Sequence, residues 1–202
     1  MIALIDYRAG NLTSVRKAFA ALGAELFTPA SPDEIGDAAA IVVPGVGHFG
    51  ATRALGPDWI EAILARVGEL RPLLGICLGM QWLFEGSEEA PDLAGLGLLG
   101  GRCFRLRGTE GPGAIKVPHV GWNALDLRRD TSIVEGIATG SQVYFTHSFV
   151  APVTADTVAV TEHGEPFAAV VQRGHVAGVQ FHPEKSGDVG LRILRNFLDL
   201  VG

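Results

Sequence analysis

Short, continuous apolar runs alternate along this chain with stretches in which apolar residues recur every three or four positions. "IALID" (2–6) has the pattern of a strand covered on both faces. In "NLTSVRKAFAALG" (11–23), Leu12, Val15, Phe19 and Leu22 share one helical face and Gly23 supplies a stop. "AELFTP" (24–29) and "AAIVVPG" (39–45) predict two more strands, the latter ending abruptly at Pro44-Gly45. A helix over 58–70, the apolar run "LLGIC" (73–77) and a helix from about Leu78 complete a β/α alternation with short connections. That alternation predicts a parallel sheet with helices on both faces. The second half differs: "VYFTHSFV" (143–150), "TVAVTE" (157–162), "AAVVQ" (168–172) and "VAGVQF" (176–181) are closely spaced β-runs. They suggest a mixed or antiparallel extension of the sheet. A last helix, 188–201, presents Val189, Ile193, Leu194, Phe197 and Val201 on one side. The pattern as a whole predicts an α/β sandwich.

Composition narrows this picture. The chain has 202 residues, 48% of them hydrophobic and 19% charged, which suits one domain over 1–202. A chain of this size buries roughly 70% of its unfolded surface and needs no staple. Cys77 and Cys103 are the only thiols, so no disulfide framework is indicated and a cytoplasmic location is expected. "MIALID" reads as a first strand and not as a signal peptide. No apolar run approaches the roughly 20 residues that span a membrane. A net charge of −6 argues against a nucleic-acid partner, which calls for a basic face. Neither a metal nor a cofactor is expected.

Sites in α/β sheets form at the carboxyl ends of strands, and three such ends hold suggestive residues. "GICLG" (75–79) has the spacing of the G-x-S-x-G elbow with cysteine in place of serine. Small residues flank a nucleophile there because the sharp strand-to-helix turn leaves no room for bulk. The helix N-terminus favours thiolate over thiol, and the Leu78 N–H is placed to meet an oxyanion. A buried structural cysteine fits the same residues equally well. "QFHPEKS" (180–186) sets His182 and Glu184 two apart, on one side of an extended chain, and Pro183 favours extension at His182. A carboxylate beside an imidazole fixes its tautomer and stabilises the imidazolium. Alone, the segment also matches a solvated turn after a strand. "VVPGVGHFG" (42–50) carries Gly45 and Gly47 after a buried strand, in a loop able to supply a second oxyanion donor or to cradle a phosphate. Together in one α/β chain, the three favour a cysteine nucleophile served by a His–Glu pair.

"GICLGMQ" (75–81) and "FHPE" (181–184), with the cysteine first, resemble the triad glutamine amidotransferases. The resemblance covers essentially the whole chain. It implies a flavodoxin-like α/β sandwich with a mixed, mostly parallel central sheet, which hydrolyses glutamine to glutamate and passes ammonia to a synthase. "DYRAGNLTSV" (6–15), "PGVGHFG" (44–50), "VPHVGWN" (117–123), "YFTHSF" (144–149) and "FHPEKS" (181–186) are similar to the glutaminase subunits of imidazole glycerol phosphate synthase, in histidine biosynthesis. Arg8 stands where that subunit family usually has Gly, and Thr146 and Phe149 replace the more usual Val and Tyr.

On this resemblance Cys77 is the nucleophile, His182 the base and Glu184 its orienting carboxylate. Leu78, Val46 and Gly47 would form the oxyanion hole. Gln81, Glu89, Gly45, His147, Ser148 and Phe149 would surround the glutamine. Asn11, Tyr144 and Lys185 would face a (β/α)8-barrel cyclase in a heterodimer. Val46, with its Cβ between two glycines, lets the 45–47 peptide rest with a carbonyl turned inward and the oxyanion hole unmade. Several residues have plainer readings too: Asn11 as a helix N-cap, Tyr144 as core, Lys185 as an exposed charge, Glu89 as a loop carboxylate. Two other functions stay open at this point. One is the glutaminase subunit of a pyridoxal phosphate or anthranilate synthase; the other is a non-catalytic flavodoxin-like module holding phosphate in the 44–50 loop. Cys103 reads as structural.

Overall fold

In the computed structural model, which describes residues 1–111 and 114–202, the first half runs β1 (Ile2–Leu4), α1 (Leu12–Ala21), β2 (Leu26–Phe27), β3 (Ala40–Gly45), α2 (Pro57–Gly68), β4 (Leu73–Cys77) and α3 (Leu78–Trp82). Alternate strand residues enter two separate cores. Ile2 and Leu4 of β1 and Ala40 and Val42 of β3 lie on the side of α1, while Ala3, Ile41 and Val43 lie on the side of α2 and α3. Continuous apolar runs are what such two-sided burial demands.

The second half contributes β5 (Gly86–Ser87), β6 (Ala90–Ala94), β7 (Arg102–Arg105), β8 (His119–Ala124), β9 (Asp126–Leu127), β10 (Gln142–His147), β11 (Phe149–Val150), β12 (Thr157–His163), β13 (Glu165–Arg173), β14 (Val176–Val179) and α4 (Gly187–Val201). The central sheet has the order β2-β1-β3-β4-β14-β13-β12-β9. From β2 to β14 the pairings are parallel, and β13, β12 and β9 extend the sheet in antiparallel fashion. Mixed but mostly parallel, with α1 and α4 on one face and α2 and α3 on the other, it is the sandwich the sequence predicts.

Helices form where an apolar stripe meets a cap. The Asn11 side chain accepts the Ser14 N–H at 3.2 Å, so Asn11 is the N-cap of α1, and Val15, Ala18 and Phe19 are buried. α2 opens with Pro57 in its first turn. α4 inserts Ile193, Leu194 and Phe197 into the α1-side core, where Phe19 and Phe197 meet edge to face at 6.4 Å. Each such buried side chain contributes about 1.5–3 kcal/mol.

Two expectations need correction. The "AELFTP" run yields only the two-residue edge strand β2. The run 143–150 is not one strand of the central sheet. It breaks at Ser148 into β10, which pairs with β8 in a separate antiparallel ribbon, and β11, which pairs with β7. The partners of both pieces lie in segments whose periodicity is weak, so pairing could not be read locally. The hairpin β5–β6 also shows no period in the sequence, being short, with β6 mostly exposed.

Candidate active site

β4 passes into α3 without a linker, and the residue at the junction is Cys77, at φ 53° and ψ −108°. Strain of this kind costs about 1–3 kcal/mol, and it turns the side chain out of the strand at the start of the helix. The flanking glycines are required by close approach. A Cβ on Gly75 would lie 2.6 Å from the Gly79 carbonyl oxygen, and one on Gly79 would land on the carbonyl of Val43. The elbow folds onto β3, where Gly45 stands in register with Cys77.

β14 runs parallel beside β4, so the chain leaving it carries residues 180–186 to the same sheet end. The His182 Nδ1 lies 2.9 Å from Glu184 Oε1, with both side chains 3% exposed. Because Nδ1 faces an acceptor it carries a proton, and Nε2 is the nitrogen left to exchange one with Cys77. Nε2 is buried and has no hydrogen-bond partner among the described residues. Burial alone would lower the His182 pKa. The nearby Cys77 sulfur and the Glu184 carboxylate outweigh it and raise the pKa to about 10. Cys77 thus sits close enough to act on His182, though no well-formed hydrogen bond joins the two side chains.

Above Cys77 opens a cavity of about 340 Å³. Val46, Gly47, Leu78, Gln81, Glu89, His147, Ser148 and Phe149 line it, together with Pro118 and Thr146, which the resemblance does not assign to the site. Gly45 does not line it. This glycine packs underneath, where a Cβ would collide with the Tyr7 hydroxyl. Gln81 Nε2 donates to the Phe149 carbonyl at 2.8 Å and to Gln180 Oε1 at 3.1 Å. Both amide hydrogens are thereby used, and the Gln81 carbonyl oxygen remains as an acceptor. Glu89 Oε2 accepts the Phe49 N–H at 2.6 Å, tying the 44–50 loop to the opposite wall of the cavity.

His147 Nε2 meets His119 Nδ1 at 3.2 Å, and His119 Nε2 meets Asn123 Nδ2 at 3.3 Å. Asn123 Nδ2 is a donor, so His119 carries its proton on Nδ1 and His147 on its own Nδ1. Burial, then the neighbouring histidines, hold the His147 pKa well below the imidazole value. The neutral ring lines the cavity, and its protonated Nδ1 is buried without a hydrogen-bond partner among the described residues.

The 44–50 loop is not arranged as a complete oxyanion hole. The Val46 N–H donates to the Ala9 carbonyl at 3.0 Å. Peptide planarity then sends the Gly45 carbonyl the other way, away from the 6–10 loop. The Leu78 N–H, first of α3, is one of the unsatisfied donors of a helix start.

Of the three residues expected at a partner surface, Asn11 is engaged as a cap. Tyr144 is not core: its ring is 6.1 Å from that of Trp122, and the exposed Lys185 holds its ammonium 5.9 Å from the Tyr144 centroid. Trp122 is 56% exposed. Gln180, Tyr7 and Ser186 escaped the sequence reading, because a polar residue within or beside an apolar run gives no local sign of its partners.

Among the described residues there is no cluster of His, Cys, Asp or Glu suited to a metal ion, and no helix is long and apolar enough to cross a membrane. A family model for class-I glutamine amidotransferases matches residues 3–201. The chain is 46% identical over 205 residues to the imidazole glycerol phosphate synthase subunit HisH of Shouchella clausii, covering 100% of this chain and 99% of that one. It is 41% identical over 202 residues to the subunit of the same name from Methanothermobacter thermautotrophicus, again covering 100% and 99%. Among solved structures, a glutamine amidotransferase crystal structure matches with a TM-score of 0.78 at 22% identity, over 100% of both chains.

Proposed function

This chain belongs to the class-I glutamine amidotransferase family, and we propose that it is the glutaminase subunit of imidazole glycerol phosphate synthase. As one amidotransferase domain in the cytoplasm, without metal or cofactor, it hydrolyses glutamine to glutamate and hands ammonia to a (β/α)8-barrel cyclase subunit. The observation that carries this reading is the buried His182–Glu184 pair, 2.9 Å apart, with the Nε2 of His182 left unpaired among the described residues and a cysteine on a strained elbow at the same sheet end.

The chemistry follows from those positions. Cys77 gives its proton to His182 Nε2, and its sulfur attacks the side-chain amide carbon of glutamine. The resulting oxyanion meets the Leu78 N–H and an amide of the 45–47 loop. His182 returns the proton to the amide nitrogen, the C–N bond breaks, and ammonia leaves a thioester on Cys77. Water then gives a proton to His182 and adds to the thioester carbon. The C–S bond breaks, sulfur recovers the proton and glutamate departs. Glu184 keeps the imidazole in its tautomer and balances its charge throughout. The Gln81 carbonyl oxygen and Glu89 accept from the substrate ammonium.

Ammonia released into water becomes ammonium and loses its nucleophilicity, so a partner must receive it directly. Trp122 and Tyr144 offer an aromatic surface for that partner, of the kind enriched at interfaces, with the exposed Lys185 beside it. The Val46 amide must leave the Ala9 carbonyl before it can serve the oxyanion, so docking of the cyclase controls turnover.

The test is glutamate release with and without the cyclase and its ribonucleotide ligand, with Cys77→Ala as control. Strong stimulation that Cys77→Ala abolishes supports the reading. Release that ignores the cyclase points to another synthase, such as those of pyridoxal phosphate or anthranilate formation. No release under any condition points to the phosphate-binding module.

A further inference from the structure

Gln180 is completely buried, it belongs to no part of the acyl-transfer chemistry above, and it touches both the nucleophile and the substrate side of the cavity. Its Nε2 points a hydrogen at Cys77 Sγ over 3.6 Å, and its Oε1 accepts from Gln81 Nε2 at 3.1 Å. Its own N–H is held by the Ala169 carbonyl at 2.9 Å.

The orientation of both amides follows from one acceptor. The Phe149 carbonyl accepts only, so the end of Gln81 that meets it at 2.8 Å must be the NH2 group. The second hydrogen of that group then requires the oxygen of Gln180, which turns the Gln180 NH2 towards sulfur. A reversed Gln180 would set a carbonyl oxygen against Cys77 and favour the protonated thiol. The orientation found favours the thiolate, because a hydrogen-bond donor stabilises the charged form of its acceptor. The same chain leaves the Gln81 carbonyl oxygen available at the cavity.

We infer that Gln180 is a positioning residue for glutamine hydrolysis: its amide holds Cys77 as the acceptor of a hydrogen bond and fixes Gln81 with its carbonyl oxygen towards the substrate. The inference rests on the glutaminase reading, and it predicts two separable effects. Gln180→Met keeps the length of the side chain but has no N–H, so it releases the sulfur and Gln81 together. Gln180→Glu keeps the acceptor for Gln81 but loses the amide donor. Gln81→Leu removes the substrate contact and the donor that orients the Gln180 amide, while the amide itself remains beside sulfur.

The experiment uses the full chain. Alkylation of Cys77 by iodoacetamide is followed across pH, with Cys77→Ala as the background from the buried Cys103, and the KM for glutamine is measured in the complex with the cyclase. Alkylation near neutral pH is expected to slow about tenfold in Gln180→Met and Gln180→Glu, the scale of one hydrogen bond to a charged group. In Gln81→Leu, which keeps the amide but not its orienting partner, it should slow by less than in either Gln180 variant. The KM should rise in Gln180→Met and Gln81→Leu but hardly in Gln180→Glu. Urea unfolding of each variant separates this pattern from simple loss of stability, which would move both readouts together. Alkylation profiles of Gln180→Met and Gln180→Glu that superimpose on the parent's would overturn the inference. A parent chain that releases no glutamate would instead remove the glutaminase reading, and the alkylation profiles would still decide whether Gln180 acts on the sulfur.

Discussion

The main chain of His182 is bracketed by Tyr144. The His182 N–H donates to the Tyr144 carbonyl at 2.9 Å, and the Tyr144 N–H donates at 3.0 Å to the Ser186 hydroxyl, which donates in turn to the His182 carbonyl at 2.6 Å. The proposed base is thus fastened, through its backbone, to a strand whose side chain faces the proposed partner surface. Ser186→Ala removes two of the three links. It should cost about 1–3 kcal/mol of stability by urea titration and lower cyclase-stimulated glutaminase activity more than basal activity. Equal loss in both would detach Ser186 from the coupling.

Among the described residues, Glu184 is the one acceptor for His182 Nδ1. Glu184→Gln should reduce kcat by about 10²-fold or more, since an amide can present its NH2 and force the wrong tautomer. Steady-state kinetics in the complex check this. The KM should change far less, because Glu184 does not line the cavity.

Acid should destabilise the fold before it reaches the carboxylate range. Burial, then the neighbouring His163, lowers the His119 pKa from 6.5 to about 4, and burial does the same more strongly for His147. Below about pH 6.5 the unfolded chain takes up protons that these rings refuse. Their contribution is therefore complete above that pH and is lost as the pH falls, for His119 through about 4. Urea unfolding across that range should show stability falling with pH, and His119→Gln should reduce the fall. His182 acts in the opposite sense. Burial opposes its charge, but Cys77 and Glu184 prevail, so its contribution is full at low pH and disappears as the pH climbs through about 10.

Arg8 occupies the left-handed region at φ 62°, exposed, with its N–H bonded to Asp6 Oδ1 at 2.8 Å. This explains why glycine is usual there in the subunit family that the chain resembles. Relief of about 1–2 kcal/mol of strain exceeds the entropy that glycine loses on folding, about 0.5–1 kcal/mol. Arg8→Gly should raise the unfolding free energy by about 0.5–1 kcal/mol in thermal or urea melts. A decrease would mean that the arginine side chain itself stabilises the loop.

The parallel half of the fold was legible because each of its strands is apolar on both faces and each long helix carries an apolar stripe. Cys77, His182 and Glu184 were legible because the elbow demands Gly75 and Gly79 at fixed spacing, and because a two-residue step puts His and Glu on one side of the chain. Two-residue strands such as β5 and β9 were not legible, since pairing so short is set by neighbours and not by pattern.

By itself, then, the amino-acid order determined the two-sided sheet, the elbow and the His–Glu pair, because all three depend on residue types at short, fixed separations. Only the tertiary structure decided the rest. It tied the Val46 amide to Ala9, buried Gln180 between Gln81 and Cys77, moved Gly45 beneath the cavity, and fastened His182 to Tyr144 through Ser186. These are contacts between residues distant along the chain. A hydrogen bond depends on ångström-scale distance and direction, which no local pattern of hydrophobic and polar positions encodes.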